Sequence, residues 1–85
     1  MKDIRNKKMV VSDSAQVKLN QDWVTMDDIT NTLTYGDVDF SLSNKPQKGG
    51  GKLYVIEGRN ANNEDIIIHI INFTNKAELK DIVHP

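Results

Sequence analysis

Residues Trp23 to Ser43, WVTMDDITNTLTYGDVDFSLS, constrain the fold more than any other stretch, because they write a helix start, a helix stop and a strand in succession. Thr25 has the chemistry of an N-cap: its hydroxyl can accept from a first-turn amide that has no helical partner, and Asp28 supplies an acid in that same turn. Val24 and Ile29 have the spacing of a hydrophobic staple. Met26, Ile29 and Leu33 fall on one stripe, so the spacing predicts a helix over about Met26–Tyr35 with that stripe facing a core. Gly36 is expected to end it in the left-handed conformation. Val38, Phe40 and Leu42 then alternate with Asp37, Asp39, Ser41 and Ser43, the pattern of a strand with one dry face and one wet face.

The flanking segments complete a plan for one domain. Residues 1–10 read as a loosely held basic arm. Residues 11–36 carry two helices, the first capped by Ser12 or Asp13 and running to about Asp22 with Ala15 and Leu19 inward. Trp23 covers the corner between them. Residues 37–83 supply four strands: Val38–Ser43, Lys52–Gly58, Asp65–Phe73 and Lys76–Val83. They are separated by NKPQKGGG (Asn44–Gly51), by the asparagine-rich turn Asn60–Asn63 and by Thr74–Asn75. Leu53 and Val55 alternate with Tyr54 and Ile56. Asp65–Phe73 is apolar on both faces, which marks a central strand covered on both sides or by a second copy, so a homodimer is among the expected assemblies. The expected fold is α+β, two short N-terminal helices packed on one face of a four-stranded, mainly antiparallel sheet.

Composition removes several classes of function. With 85 residues there is room for one core, and a chain of this size buries roughly 60% of its unfolded surface. The chain has no cysteine, so disulfides, thiol nucleophiles and thiolate zinc sites are excluded, and a cytoplasmic location is expected. MKDIRNKKMVV has no apolar run of signal-peptide length. Ile66–Ile71, interrupted by His69, is too short to span a bilayer, so no membrane partner is expected. The net charge is −1, but Lys2, Arg5, Lys7 and Lys8 form one basic cluster and Lys45, Lys48, Lys52 and Arg59 another. Binding to nucleic acid through these clusters is expected to be weak and steeply salt-dependent.

The order helix, helix, strand resembles a small bacterial family of unknown function that is remotely related to the RelE and ParE toxins of toxin–antitoxin systems. The resemblance runs from about Ser14 to Ile82. It is carried by Ser14-Ala15, Lys18 and Asp22 where relatives have His-Ala and two arginines, then by Trp23-Val24-Thr25 at the second helix start. Gly36, Leu42-Ser43, Glu57-Gly58 and the isoleucine-rich third strand continue it. Of the polar triplet only Lys18 keeps its charge. The resemblance implies a RelE/ParE-like fold and, as one function, a ribonuclease toxin.

RelE-like toxins cleave mRNA with lysine, arginine and tyrosine, which orient the 2′-hydroxyl, neutralise the phosphorane and protonate the leaving oxygen. Lys45, Lys48, Lys52, Tyr54 and Arg59 are the residues of this chain that match those types. The plain reading of the lysines is a solvated loop, and the glycine triplet lacks the spacing of a nucleotide-binding fingerprint. Parity on a regular strand places Lys52 and Tyr54 on one face and Arg59 on the other. His69 shares a face with Ile67, Ile71 and Phe73, where a hydrogen-bonded core or interface role outweighs catalysis. His84 is expected to be mobile. Two isolated histidines give no metal site, and no cofactor is expected. The function expected from the residues is a non-enzymatic binding module that engages a macromolecular partner, most plausibly a protein. The alternatives are the RelE-like ribonuclease and a phage or mobile-element inhibitor of host defence.

Overall fold

A computed structural model describes residue 4 and residues 6–85. In chain order its elements are β1 (Lys8–Val11), α1 (Asp13–Leu19), α2 (Met26–Tyr35), β2 (Asp37–Val38), β3 (Lys45–Pro46), β4 (Lys52–Arg59), β5 (Asp65–Asn72) and β6 (Lys76–Val83). The strands form one sheet in the order β1-β6-β5-β4-β2, with β3 also on β4. β1 lies parallel to β6 and the other pairs are antiparallel. The class is α+β, but the expected four-stranded, mainly antiparallel sheet led by two helices is corrected to a six-stranded mixed sheet in which a strand precedes both helices. Among the described residues no helix is long and apolar enough to cross a membrane.

β1 is the element that changes the plan. Residues 8–10 lie in a strand and Ile4 is fully buried in the core, whereas a loose arm was expected there; Lys2 and Arg5 lie outside the described residues. Met9 and Val11 pack against the core, and in register Met9 faces Ala77 and Val11 faces Leu79. Lys7 fastens the start of the strand: its Nζ donates to Asn72 Oδ1 and to the Phe73 carbonyl, both at 2.7 Å.

β1 is too short to pair with the last residues of β6, and α1 completes that edge. The Ser12 hydroxyl caps α1 by accepting from Ala15 N at 3.2 Å and donates to the Lys80 carbonyl. One helix length on, Lys18 Nζ donates to the Ile82 carbonyl at 2.8 Å and lies 3.3 Å from Asp81 Oδ1. An exposed edge is thereby occupied by side-chain donors rather than left as a template for another strand. The helix stops at Leu19, earlier than expected, and Asp22 takes a left-handed turn at φ 66°.

α2 follows its sequence signals. Thr25 Oγ1 accepts from Asp28 N at 3.3 Å and Thr25 N donates to Asp28 Oδ2 at 2.9 Å, a reciprocal box with aspartate in the acidic position. Ile29 and Leu33 are buried, while Met26, placed on the same stripe by spacing, stands 40% exposed. Gly36 is not left-handed: it is extended, at φ −73° and ψ 168°. Its glycine is required by close approach, because a Cβ there would fall 2.5 Å from both the Glu57 and Thr32 carbonyl oxygens.

The register of the central strands sorts the side chains. Tyr54 pairs with Ile70, Ile56 with Ile68 and Gly58 with Ile66 on the helix side, where Leu79 and Ile82 join Ala15, Val24, Ile29 and Leu33 in the core. Each such fully buried isoleucine contributes about 1.5–3 kcal/mol relative to exposure. Leu53 pairs with Ile71, Val55 with His69, Glu57 with Ile67 and Arg59 with Asp65 on the other side. There Val55 and Ile71 are buried, Ile67 and His69 half-buried, and Gly51 packs against Ile71 and Phe73.

Candidate functional site

The five residues matched by type to RelE-like chemistry are not brought together. Tyr54 is half-buried against the helix-side core, opposite Ile70. Lys45 is in register with Leu53 on the other face, and Lys48 stands exposed in the glycine turn. Gly49 and Gly50 adopt φ 93°, and Gly51 leans on Ile71 and Phe73, so the turn folds toward the face away from Tyr54. Arg59 is engaged elsewhere: Nε lies 3.4 Å from Asp65 Oδ1 and Nη1 donates to Asn63 Oδ1 at 3.0 Å. Lys52 is exposed at the far end of the same strand.

The histidines are equally dispersed. His69 is half-buried, in register between Val55 and Asp81. His84, expected to be mobile, packs its ring 5.0 Å from that of Trp23 and places Nε2 3.6 Å from Glu64 Oε2. Asn60 ties the same corner by donating to the Trp23 carbonyl at 2.8 Å and to Glu64 Oε1 at 3.1 Å. Among the described residues no three His, Cys, Asp or Glu side chains gather as metal ligands.

A groove of about 640 Å³ does form, at the end of the sheet away from the glycine turn. Its walls are Asn31, Thr32 and Tyr35 from the end of α2, Gly36 and Asp37, Glu57–Arg59 of β4, Asp65–Ile67 of β5, and Pro85. Two glycines build it. Gly36 lets the helix end lie against the Glu57 carbonyl, and Gly58 lets Thr32 occupy the space a Cβ would need. A glycine inside an apolar strand such as β4 is itself a signal of close backbone approach.

Thr32 is 2% exposed, and its Oγ1 has no hydrogen-bond partner among the described residues. Tyr35 stands 81% exposed at the rim. Asp37 and Glu57 are opposite one another across the β2–β4 pair and both are exposed. Directly opposed residues on adjacent strands share a face and bring their Cβ atoms to about 4.5–5.5 Å, so these two carboxylates are held side by side.

Beyond Asp37 the expected strand over Val38–Ser43 is broken. β2 ends at Val38, and the Asp39 carboxylate accepts from Ser41 N at 3.0 Å and from Ser41 Oγ at 2.6 Å. This local turn wins over the ladder, as short polar side chains do when they bond their own backbone. The Ser41 hydroxyl holds the Asp39 carboxyl below its ordinary range against an opposing effect of desolvation, and the Ser41 and Leu42 amides add to the lowering. The edge of β4 is served instead by Asp39 N, which donates to the Val55 carbonyl, and by Ser43 Oγ, which accepts from Val55 N at 2.9 Å. Phe40 and Leu42, expected on a dry face, are 85% and 52% exposed.

No family model, no curated protein and no solved structure matches this chain, so the groove's chemistry is read from its own residues.

Proposed function

We propose that the protein is a small binding module that engages a protein partner at the groove beside Tyr35 and catalyses no reaction. The observation that carries this reading is the exposed Tyr35 side chain, which lines the groove, with Phe40 and Leu42 exposed on the segment that follows β2. Single exposed apolar residues are ordinary, but two exposed aromatics within six positions, one of them on the groove, are the kind of large anchors that dominate protein interfaces. The dispersal of Tyr54, Lys45 and Arg59 over two faces of the sheet also supports it, because a ribonuclease would need them on one phosphate. The kinship with RelE/ParE-related domains stays part of this proposal, on the residues from Ser14 to Ile82 that carry it. Its one retained cation, Lys18, is spent on the Ile82 carbonyl and Asp81.

The test is site-specific photocrosslinking in the host cell. With p-benzoylphenylalanine at position 35 a discrete adduct is expected, and at Asn75, an exposed turn at the opposite end of the sheet, none. Expression alone is expected to leave growth and cellular RNA unaffected. RNA cleavage that disappears in a folded Lys52→Ala/Tyr54→Phe variant would overturn the reading.

A further inference from the structure

We infer that the sheet face turned away from the helices is the contact surface of a homodimer, whose twofold axis crosses the strands at the level of Val55 and His69. The inference stands apart from the groove, since it concerns the contact of this chain with its own copy. Both helices pack on the opposite face, around Ile56, Ile68 and Ile70, and no described helix covers this one. Strand register places Leu53, Val55, Ile67, His69 and Ile71 on it, and Phe73 joins them beside Gly51. An antiparallel sheet with one wet face carries polar residues there by alternation. β5 and the residue after it instead present two isoleucines, a histidine and a phenylalanine. Val55 and Ile71 are buried, yet they lie outside the helix-side core.

Charge selects the occupant. At one end of the face Asp37 lies opposite Glu57, and the nearby Arg59 is taken up by Asp65. At the other end Lys45 lies opposite Leu53 and Lys8 opposite Lys76, whose Nζ sits 5.4 Å from the centre of the Phe73 ring. Glu78, opposite Ile71, is the one acid in that half among the described residues. None of Asp37, Glu57, Lys8, Lys45 and Lys76 enters an ion pair among the described residues. The face therefore has an acidic end, an apolar middle and a basic end. A polyanion would be attracted by one end and repelled by the other, and a polycation the reverse. A second copy turned end for end satisfies both.

Symmetry then fixes the arrangement. Two copies packed face to face by an isologous contact are related by an axis lying in the plane between them. An axis along the strands would set acid on acid and lysine on lysine, whereas an axis across them sets acid on lysine twice. Its height follows from register. Asp37 is opposite Glu57 and Lys45 is opposite Leu53, and these β4 positions each lie two residues from Val55, the partner of His69. Asp37 of each copy then faces Lys45 of the other, with the two His69 side chains near the axis and the sheets about 10 Å apart.

Sedimentation equilibrium of the purified full chain is the test. A reversible dimer is expected at submillimolar concentration. Asp37→Lys alone and Lys45→Glu alone should each weaken it at least tenfold, because each sets like charges face to face. Both positions are exposed, so amide NMR should show each variant folded. An equimolar mixture of the two variants should recover the parent affinity, since a mixed dimer pairs Asp37 with Lys45 at one site and the exchanged charges at the other. The chain has no cysteine, so His69→Cys creates a single thiol. A short bismaleimide should join two such chains efficiently and leave Thr30→Cys, exposed on α2, as single chains. A protein that stays monomeric throughout would overturn the inference. So would folded single variants that dimerise like the parent, a mixture no tighter than its components, or equal crosslinking at positions 30 and 69.

Discussion

The Thr32 side chain occupies the volume that a Cβ on Gly58 would need: its Cγ2 lies 2.8 Å and its Cβ 2.9 Å from that position. Helix and strand meet there without a spacer, and the groove exists because they do. Gly58→Ala should therefore cost about 1–3 kcal/mol through overpacking. Thr32→Ala should cost less in that background than in the parent, with a coupling of about 1 kcal/mol in the double-mutant cycle. Additive unfolding free energies would mean the two residues do not compete for the same space.

Thr32→Val exchanges the unpartnered hydroxyl for a methyl group of similar shape. A buried polar atom without a bond loses hydration and gains nothing, so this variant is expected to be neutral or more stable by about 1 kcal/mol. Urea denaturation decides the matter. A midpoint lowered by the equivalent of 1 kcal/mol would reveal a bond to the hydroxyl.

Thr25→Ala removes the acceptor for Asp28 N and opens the reciprocal box. The expected loss is about 1 kcal/mol. In a domain of this size that lowers the melting temperature by about 4–8 °C. An unchanged melting temperature would place the helix start elsewhere.

Ile68 is fully buried, paired with Ile56 on one side and Ile82 on the other. Ile68→Asp places a charge among isoleucines with no partner and should abolish cooperative folding. Sharp near-native amide dispersion from that variant would contradict the sheet order.

The Asp39 turn carries a pH signature. Hydrogen bonding from Ser41 lowers the carboxyl from its ordinary value of 3.8, so the ionised acid supports the turn. That support is present in full above the unfolded value and is lost as pH falls through the lower folded value. The Ser41 amide resonance is therefore expected to move on acidification below about pH 4, and to lose that transition in Asp39→Asn. A Ser41 titration identical in both proteins would exclude the contact.

What the sequence disclosed and what it hid follow one physical division. The cap at Thr25, the central place of Asp65–Asn72 and the parity that separates Tyr54 from Arg59 depend on neighbours a few positions apart, and all three are present. The alternation of Val38, Phe40 and Leu42 was equally local, but Asp39 bonds Ser41 and the period of two never becomes a strand. β1 was hidden because nothing near it identifies its partner: KMVV is four residues long and pairs with β6 at the other end of the sequence. The groove was hidden for a related reason. Asp37 and Glu57 carry no joint signal until β2 and β4 are laid side by side, and Thr32 has meaning only against Gly58.

The parallel pairing of β1 with β6 also sets the timetable of folding. Antiparallel β4, β5 and β6 can zip together as successive hairpins, each closing a short loop. β1 gains its partner only after β6 is in place, with almost the entire length of chain between them. Loop closure over that span must be met before the contact returns any energy, which makes the docking of Lys8–Val11 a late, entropy-limited step. Until β6 is in place, Met9 and Val11 have neither the ladder nor the apolar surface they pack on in the native sheet.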